Sequence, residues 1–162
     1  ELAWHCLQAE QSYRSEGRRL GNILDAFLRY EWYQDRWQPM SSKSLQSINW
    51  QEIELETVNE SMQRRIVTGE NITVARIYFK DGFTVPMHNH HNEQITQVIK
   101  GQMRFVFGGD DPKEMLLNPG DVVVIPPNVP HQATCIGAVE QTDIWSPRRE
   151  DWLDGTDDYL RS

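Results

Sequence analysis

From Trp50 to Trp145 the chain alternates apolar and polar residues in short runs, the period-2 pattern of half-buried strands. The runs Ile53–Val58, Met62–Thr68, Ile72–Phe79, Gln94–Ile99, Gln102–Phe107, Lys113–Leu117, Val122–Ile125 and Ala138–Trp145 are rich in Val, Ile, Phe and Thr. Turn chemistry separates them: Gly69-Glu70-Asn71, Lys80-Asp81-Gly82, Gly108 to Pro112, and Asn118-Pro119-Gly120-Asp121. Many short strands with no helix between them predict an all-β sandwich or barrel. The tail from Pro147 to Ser162 carries five acidic residues around Trp152 and Leu153. It is expected to form a helical turn and a loop lying against the barrel.

Upstream the period changes. Leu20, Ile23, Leu24, Phe27, Leu28 and Trp32 recur at steps of three and four, which predicts an amphipathic helix over 20–36, weakened at its start by Gly17 and Gly21. Residues 1–39 are therefore expected as an N-terminal helical extension and residues 40–162 as the barrel with its tail. The extension either packs on the barrel or a second subunit, or precedes a natural start at Met40.

Composition narrows the function. The 162 residues suffice for one domain with a real core, and a formal net charge of -8 argues against nucleic acid, whose phosphates need clustered Lys and Arg. No apolar run reaches membrane-spanning length, and no signal peptide is evident, so a cytoplasmic chain is expected. Cys6 and Cys135 form no spaced pattern and read as free thiols. An anionic substrate would need a local positive centre on so acidic a protein.

The candidate centre lies in Gly82–Gly101, GFTVPMHNHHNEQITQVIKG. Side chains two apart share a strand face, so His88 and His90 point together, Gln94 keeps that parity if the strand continues, and His91 points away. Two imidazoles so placed can chelate one ion, and His131 follows a stiff Pro126-Pro127-Asn128-Val129-Pro130 turn. A divalent transition metal is expected, with nickel, zinc, iron, manganese and cobalt all compatible with such ligands.

These residues resemble the first motif of the cupins, Gly-x5-His-x-His-x3-Glu-x6-Gly, at Gly82, His88, His90 and Gly101; Gly120-x5-Pro126 with His131 resembles the second. The resemblance covers about residues 70–136 and implies a double-stranded β-helix, the cupin jelly-roll barrel, with metal at its mouth. It also implies pairing into a homodimer. Gln94 stands where the family has a Glu ligand, Asn128 where glycine is usual, and Cys135 where asparagine is usual. An amide in place of a carboxylate leaves a divalent ion its full charge, which favours Lewis-acid chemistry over oxygen activation.

A second cluster follows at Asp143-Ile144-Trp145-Ser146-Pro147-Arg148-Arg149. Gln141, Asp143 and Trp145 share one strand face, either lining the metal cavity or capping the core and facing water. Together with His88, His90, Gln94 and His131 the cluster resembles the small cupins of pectin and alginate breakdown, which linearise unsaturated monouronates. That resemblance implies catalytic roles for Asp143, Trp145 and Arg149, with Trp145 replacing Phe and Arg148 replacing Pro. It implies a small anionic sugar-acid substrate whose carboxylate Arg149 grips with a two-pronged hydrogen bond, while Asp143 moves a proton. The same barrel also admits a dioxygenase, an acid lyase, or a sugar- or effector-binding protein without catalysis.

Overall fold

The computed structural model describes Leu45 and residues 47–161. The helix expected over 20–36, Met40 and Cys6 lie outside them. A 3-10 turn at Trp50–Glu52 precedes eight strands: β1 (Glu56–Asn59), β2 (Met62–Thr68), β3 (Thr73–Phe79), β4 (Thr84–His88), β5 (Glu93–Phe107), β6 (Lys113–Leu117), β7 (Val122–Ile125) and β8 (His131–Ser146). A short helix α1 (Glu150–Leu153) and a 3-10 turn at Asp158–Leu160 complete the tail. All pairings are antiparallel, in the order β1-β2-β3-β8-β5-β6, with β4 on β8 and β7 on β5.

The long β5–β8 ladder organises everything else. Its register runs from Glu93↔Ser146 to Phe107↔His131. The end near Gln94 is flanked by β3 and β7, and the end near Phe107 by β4 and β6. Two sheet halves thus share two strands, and the ladder bends where the register shifts between Val98 and Gln102. Gly101 sits in the bend at φ 74°, and a Cβ there would lie 2.5 Å from the Ala138 carbonyl oxygen. Gly137, on the facing strand, has φ 76°. Only glycine takes that backbone freely, so the two glycines let both strands cross from one half to the other. Sequence punctuation by Gly101 had suggested two strands, Gln94–Ile99 and Gln102–Phe107; they are one bent strand. For the same reason β8 runs back to His131 rather than starting at Ala138.

Alternation sets the core. Met62, Arg64, Ile66 and Thr68 of β2 face inward, as do Thr73, Ala75, Ile77 and Phe79 of β3. They meet Val98, Met103 and Phe105 of β5 and Ala133, Cys135 and Val139 of β8. Arg64 is the exception among apolar neighbours. Its Nε donates to Glu56 at 2.7 Å and its Nη1 to Asp157 at 2.5 Å, and its guanidinium lies 4.2 Å from the Trp152 ring. Arg161 donates to both carboxylates, at 2.7 Å to Asp157 and 2.9 Å to Glu56. Two arginines and two carboxylates therefore neutralise one another beneath the tail, which satisfies a charge that could not be buried alone. Trp152, Leu153 and Leu160 are buried, so the tail packs against the barrel as its apolar residues require. No described helix is long and apolar enough to cross a membrane.

Candidate metal centre

His88 closes β4 and pairs across the ladder with His131, the first residue of β8. His90 does not lie on a continued strand. The chain bends at His91 and Asn92 before β5 starts, so the strand parity expected to run from His88 to Gln94 is broken. The loop itself delivers His90: its carbonyl accepts from Asn128 N at 2.8 Å, and the buried Asn92 side chain ties the loop to the Pro147 and Arg148 carbonyls. Asn128 has φ 64°, the left-handed conformation that explains glycine at this position in the motif and that Asn tolerates. His91 is exposed and points away.

The three rings share one hydrogen-bond logic. Nδ1 of His88 faces the Pro86 carbonyl at 2.8 Å, that of His90 the Asn92 carbonyl at 2.9 Å, and that of His131 the Val129 carbonyl at 2.8 Å. A carbonyl only accepts, so each Nδ1 carries the proton and each Nε2 keeps its lone pair. One ligand nitrogen from each ring can be chosen so that all lie within 4.8 Å of one another. His131 Nε2 is buried without a hydrogen-bond partner. Gln94 supplies a stronger sign. Trp145 Nε1 donates to its Oε1 at 2.8 Å, while its Nε2 donates to Thr96 Oγ1 at 2.8 Å, so the amide oxygen must face His90 Nε2, 3.0 Å away. Two lone pairs pointed at each other repel unless a cation sits between or beside them. A protonated His90 is disfavoured, because burial and then the Arg149 charge hold its pKa down at about 4. Burial and repulsion from His131 do the same to His88, also about 4, and burial lowers His131. Neutral imidazoles and an amide oxygen with fixed lone pairs fit a divalent metal ion.

Beside these rings β8 presents Gln141, Asp143 and Trp145, all buried and all on the inner face. The inward option is the observed one. They line a cavity of about 400 Å³, open solvent at its mouth included, together with His88, Gln94, His131, Arg149 and Tyr159. Asp143 Oδ2 accepts from Gln141 at 2.7 Å, and Oδ1 is buried without a partner. Burial pushes its pKa up to about 7 against weaker pulls from Thr96, Gln141 and Arg149. Cys135 is a free thiol, pushed by burial to about 12 and so inert as a nucleophile.

Arg149 reaches the cavity, with its backbone N held by Thr73 Oγ1 at 3.0 Å and its guanidinium beside the packed Trp145 and Trp152 rings, 5.3 and 5.2 Å from their centroids. Burial would lower its pKa; Asp151 and Tyr159 more than offset that. Its two-pronged edge, however, is taken: Nε and Nη2 donate to Asp151 at 2.9 and 2.7 Å, and Nη2 donates also to Tyr159 Oη at 3.0 Å. Nη1 lies outside these contacts, so the edge expected to grip a carboxylate with two prongs is occupied by Asp151. Asp151, Tyr159, Thr96 and Asn92 escaped sequence reasoning. Tyr159 lies ten residues beyond Arg149 in a stretch without periodic pattern, and only the acidic, aromatic character of the tail hinted at a role.

Residues 75–145 match the Cupin domain family. The barrel has the jelly-roll fold of the cupins, and the family match falls on its β3–β8 core. An RmlC-like cupin from Shewanella frigidimarina superposes with a TM-score of 0.61 at 25% identity, over 67% of this chain and 96% of that one. KdgF from Halomonas sp. gives 0.62 at 26% identity, over 67% of this chain and 99% of its own. Oxalate decarboxylase from Bacillus subtilis, 16% identical with a TM-score of 0.59, shares the fold over 67% of this chain and 31% of that one. No curated protein sequence matches. In cupin terms, the strand bearing His88, the following loop and the first residue of β8 form the mouth of the jelly-roll.

Proposed function

We propose that this cupin is a metal-dependent enzyme that opens small unsaturated uronates to linear keto acids, with His88, His90, His131 and Gln94 holding the ion. The observation carrying this reading is the shared cavity: a carboxyl group with a pKa near neutrality, an indole wall and an arginine end face the histidine cluster. The resemblance of the Asp143–Arg149 segment to the uronate-linearising cupins supports the substrate class, and the similarity to KdgF over nearly that protein's full length supports a small single-barrel protein. A bound divalent ion would supply Lewis acidity to substrate oxygens without itself changing redox state.

The remaining chemistry is an isomerisation. A proton leaves the anomeric hydroxyl, the ring C–O bond at the anomeric carbon breaks, and the released enolate takes a proton on carbon to become the ketone. No atom is gained or lost, so one carboxyl group can accept the first proton and return it. Asp143, half-ionised near neutral pH, fits that task. Gln141 donates to Oδ2 and leaves Oδ1 to face the substrate. Trp145 offers a flat face, with its N–H committed to Gln94. Arg149 Nη1 holds the carboxylate end-on. The direct test is incubation of the metal-loaded protein with unsaturated monogalacturonate. Loss of the substrate's ultraviolet absorbance is expected, and an unchanged spectrum at stoichiometric enzyme would rule the activity out.

A further inference from the structure

Tyr159 plays no part in the reaction above, yet three independent contacts converge on it. Its ring stacks on His88, with centroids 4.7 Å apart and planes 29° from parallel. Its hydroxyl oxygen accepts from Arg149 Nη2 at 3.0 Å. It lines the same cavity as Asp143 and Trp145. One side chain of the tail thus touches a candidate metal ligand and the candidate substrate anchor at once.

The tail holds Tyr159 firmly. Asp157, fully buried, binds Arg64 and Arg161, and Arg161 reaches back to Glu56. Asn59 Nδ2 donates to the Leu160 carbonyl at 2.6 Å, and Leu160 is buried. Asp151, the other partner of Arg149, is different: its side chain is 37% exposed. Arg149 therefore has one partner facing solvent and one fixed by a buried ion network. Each N–H of Nη2 is used, one by Asp151 and one by Tyr159, so their joint geometry decides where the Nη1 end points.

We propose that Tyr159 is a positioning residue of the metal pocket: its ring fixes the plane of His88, and its hydroxyl aims the Arg149 Nη1 end at a carboxylate in the cavity. Residues 157–161 then belong to the binding site, and the pocket selects a carboxylate-bearing sugar over its neutral counterpart. This rests on Arg149 being the carboxylate anchor of the proposed reaction.

The test uses the full chain with Tyr159→Phe and Tyr159→Leu. Cobalt(II) titration of metal-free protein, read by visible absorption, reports the His88 side. Calorimetry of zinc-loaded protein with galacturonate and with galactose reports the Arg149 side. Removing a hydroxyl that orients a charged group is expected to weaken galacturonate by about tenfold while leaving galactose binding unchanged. Tyr159→Phe keeps cobalt affinity within about twofold, because the ring remains, whereas Tyr159→Leu lowers it by about tenfold, as loss of an orienting contact to a ligand does. KM for the unsaturated uronate rises with galacturonate Kd in Tyr159→Phe while kcat stays within about threefold, a split that simple unfolding would not produce. Unchanged galacturonate affinity in Tyr159→Phe, or unchanged cobalt affinity in Tyr159→Leu, overturns the assignment. A wild-type protein that binds galacturonate without turning over the unsaturated uronate removes the reaction but leaves the binding arms decisive. One that binds neither sugar acid shows that Arg149 anchors no carboxylate, and the proposal falls with it.

Discussion

Replacing Asp143 with Asn should abolish turnover and at the same time stabilise the protein, increasingly as pH rises. Asp143 is 3% exposed, and its pKa moves from 3.8 to about 7 because burial penalises the ionised form. Between those values the folded protein binds a proton that the unfolded chain has lost. Its contribution to stability is complete below about pH 3.8 and is lost as pH rises through 7. At about 1.4 kcal/mol per pH unit, the shift amounts to roughly 4 kcal/mol. Asn carries no such penalty and keeps an oxygen for the Gln141 amide. His88 and His90 work in the opposite direction, since their pKa values are depressed to about 4 and their contribution is lost as pH falls from 6.5 towards 4. Both histidines are present in both proteins, so the difference between variant and wild type isolates Asp143. Urea unfolding of metal-free samples at intervals from pH 4 to 8.5 would give that difference. It should lie near its minimum at pH 4, climb through neutrality and level off above pH 8 at up to roughly 4 kcal/mol in favour of Asp143→Asn. A difference that stays flat with pH would refute the reasoning that burial holds this carboxyl group protonated. Retained turnover of unsaturated galacturonate would separately refute its role as proton carrier.

Three further outcomes follow from the geometry. The double variant His88→Ala, His131→Ala should purify with most of its metal missing by elemental analysis, and a full equivalent would show the ion to be held elsewhere. Gly101→Ala should destabilise by about 2 kcal/mol or more in urea, since it combines a left-handed backbone with a Cβ 2.5 Å from a carbonyl oxygen; a neutral substitution would mean the bend does not depend on glycine. Asp157→Ala leaves Arg64 buried with one carboxylate fewer and should cost about 3–5 kcal/mol. Limited proteolysis should then cut near the tail first, and wild-type resistance would show that the ion network does not hold it.

Much of the barrel was legible because burial on one face imposes alternation. Met62–Thr68, Lys113–Leu117 and Val122–Ile125 have the bounds the pattern suggested. β4 is expected as a strand at His88 but has no run of its own, for a physical reason: none of its five residues is fully buried, so Thr84–His88 shows no alternation to read. Gly101 misled in the other direction, marking a bend within a strand where glycine more often marks an end. At the site, the spacing of His88 and His90 and the motif around His131 pointed to three rings that the fold does bring together, although the parity offered for His90 and Gln94 fails at the bend near Asn92. Gln141, Asp143 and Trp145 share the inner face as strand geometry requires. The ion network and Tyr159 could not be read in advance, because partners up to 105 positions apart meet through packing and not through pattern.

The bent ladder would give a bound ion a mechanical part as well as a chemical one. Gln94 and His131 sit near opposite ends of the same β5–β8 pairing, and the folding of that ladder at Gly101 and Gly137 turns both into one cavity. An ion shared by them would act as a cross-link between the two sheet halves, closing a pair of jaws hinged at the glycines. Occupancy and rigidity would then be one variable: amide protons of β4 and of both ends of β5 would exchange more slowly in the loaded protein, far beyond the residues that touch the metal.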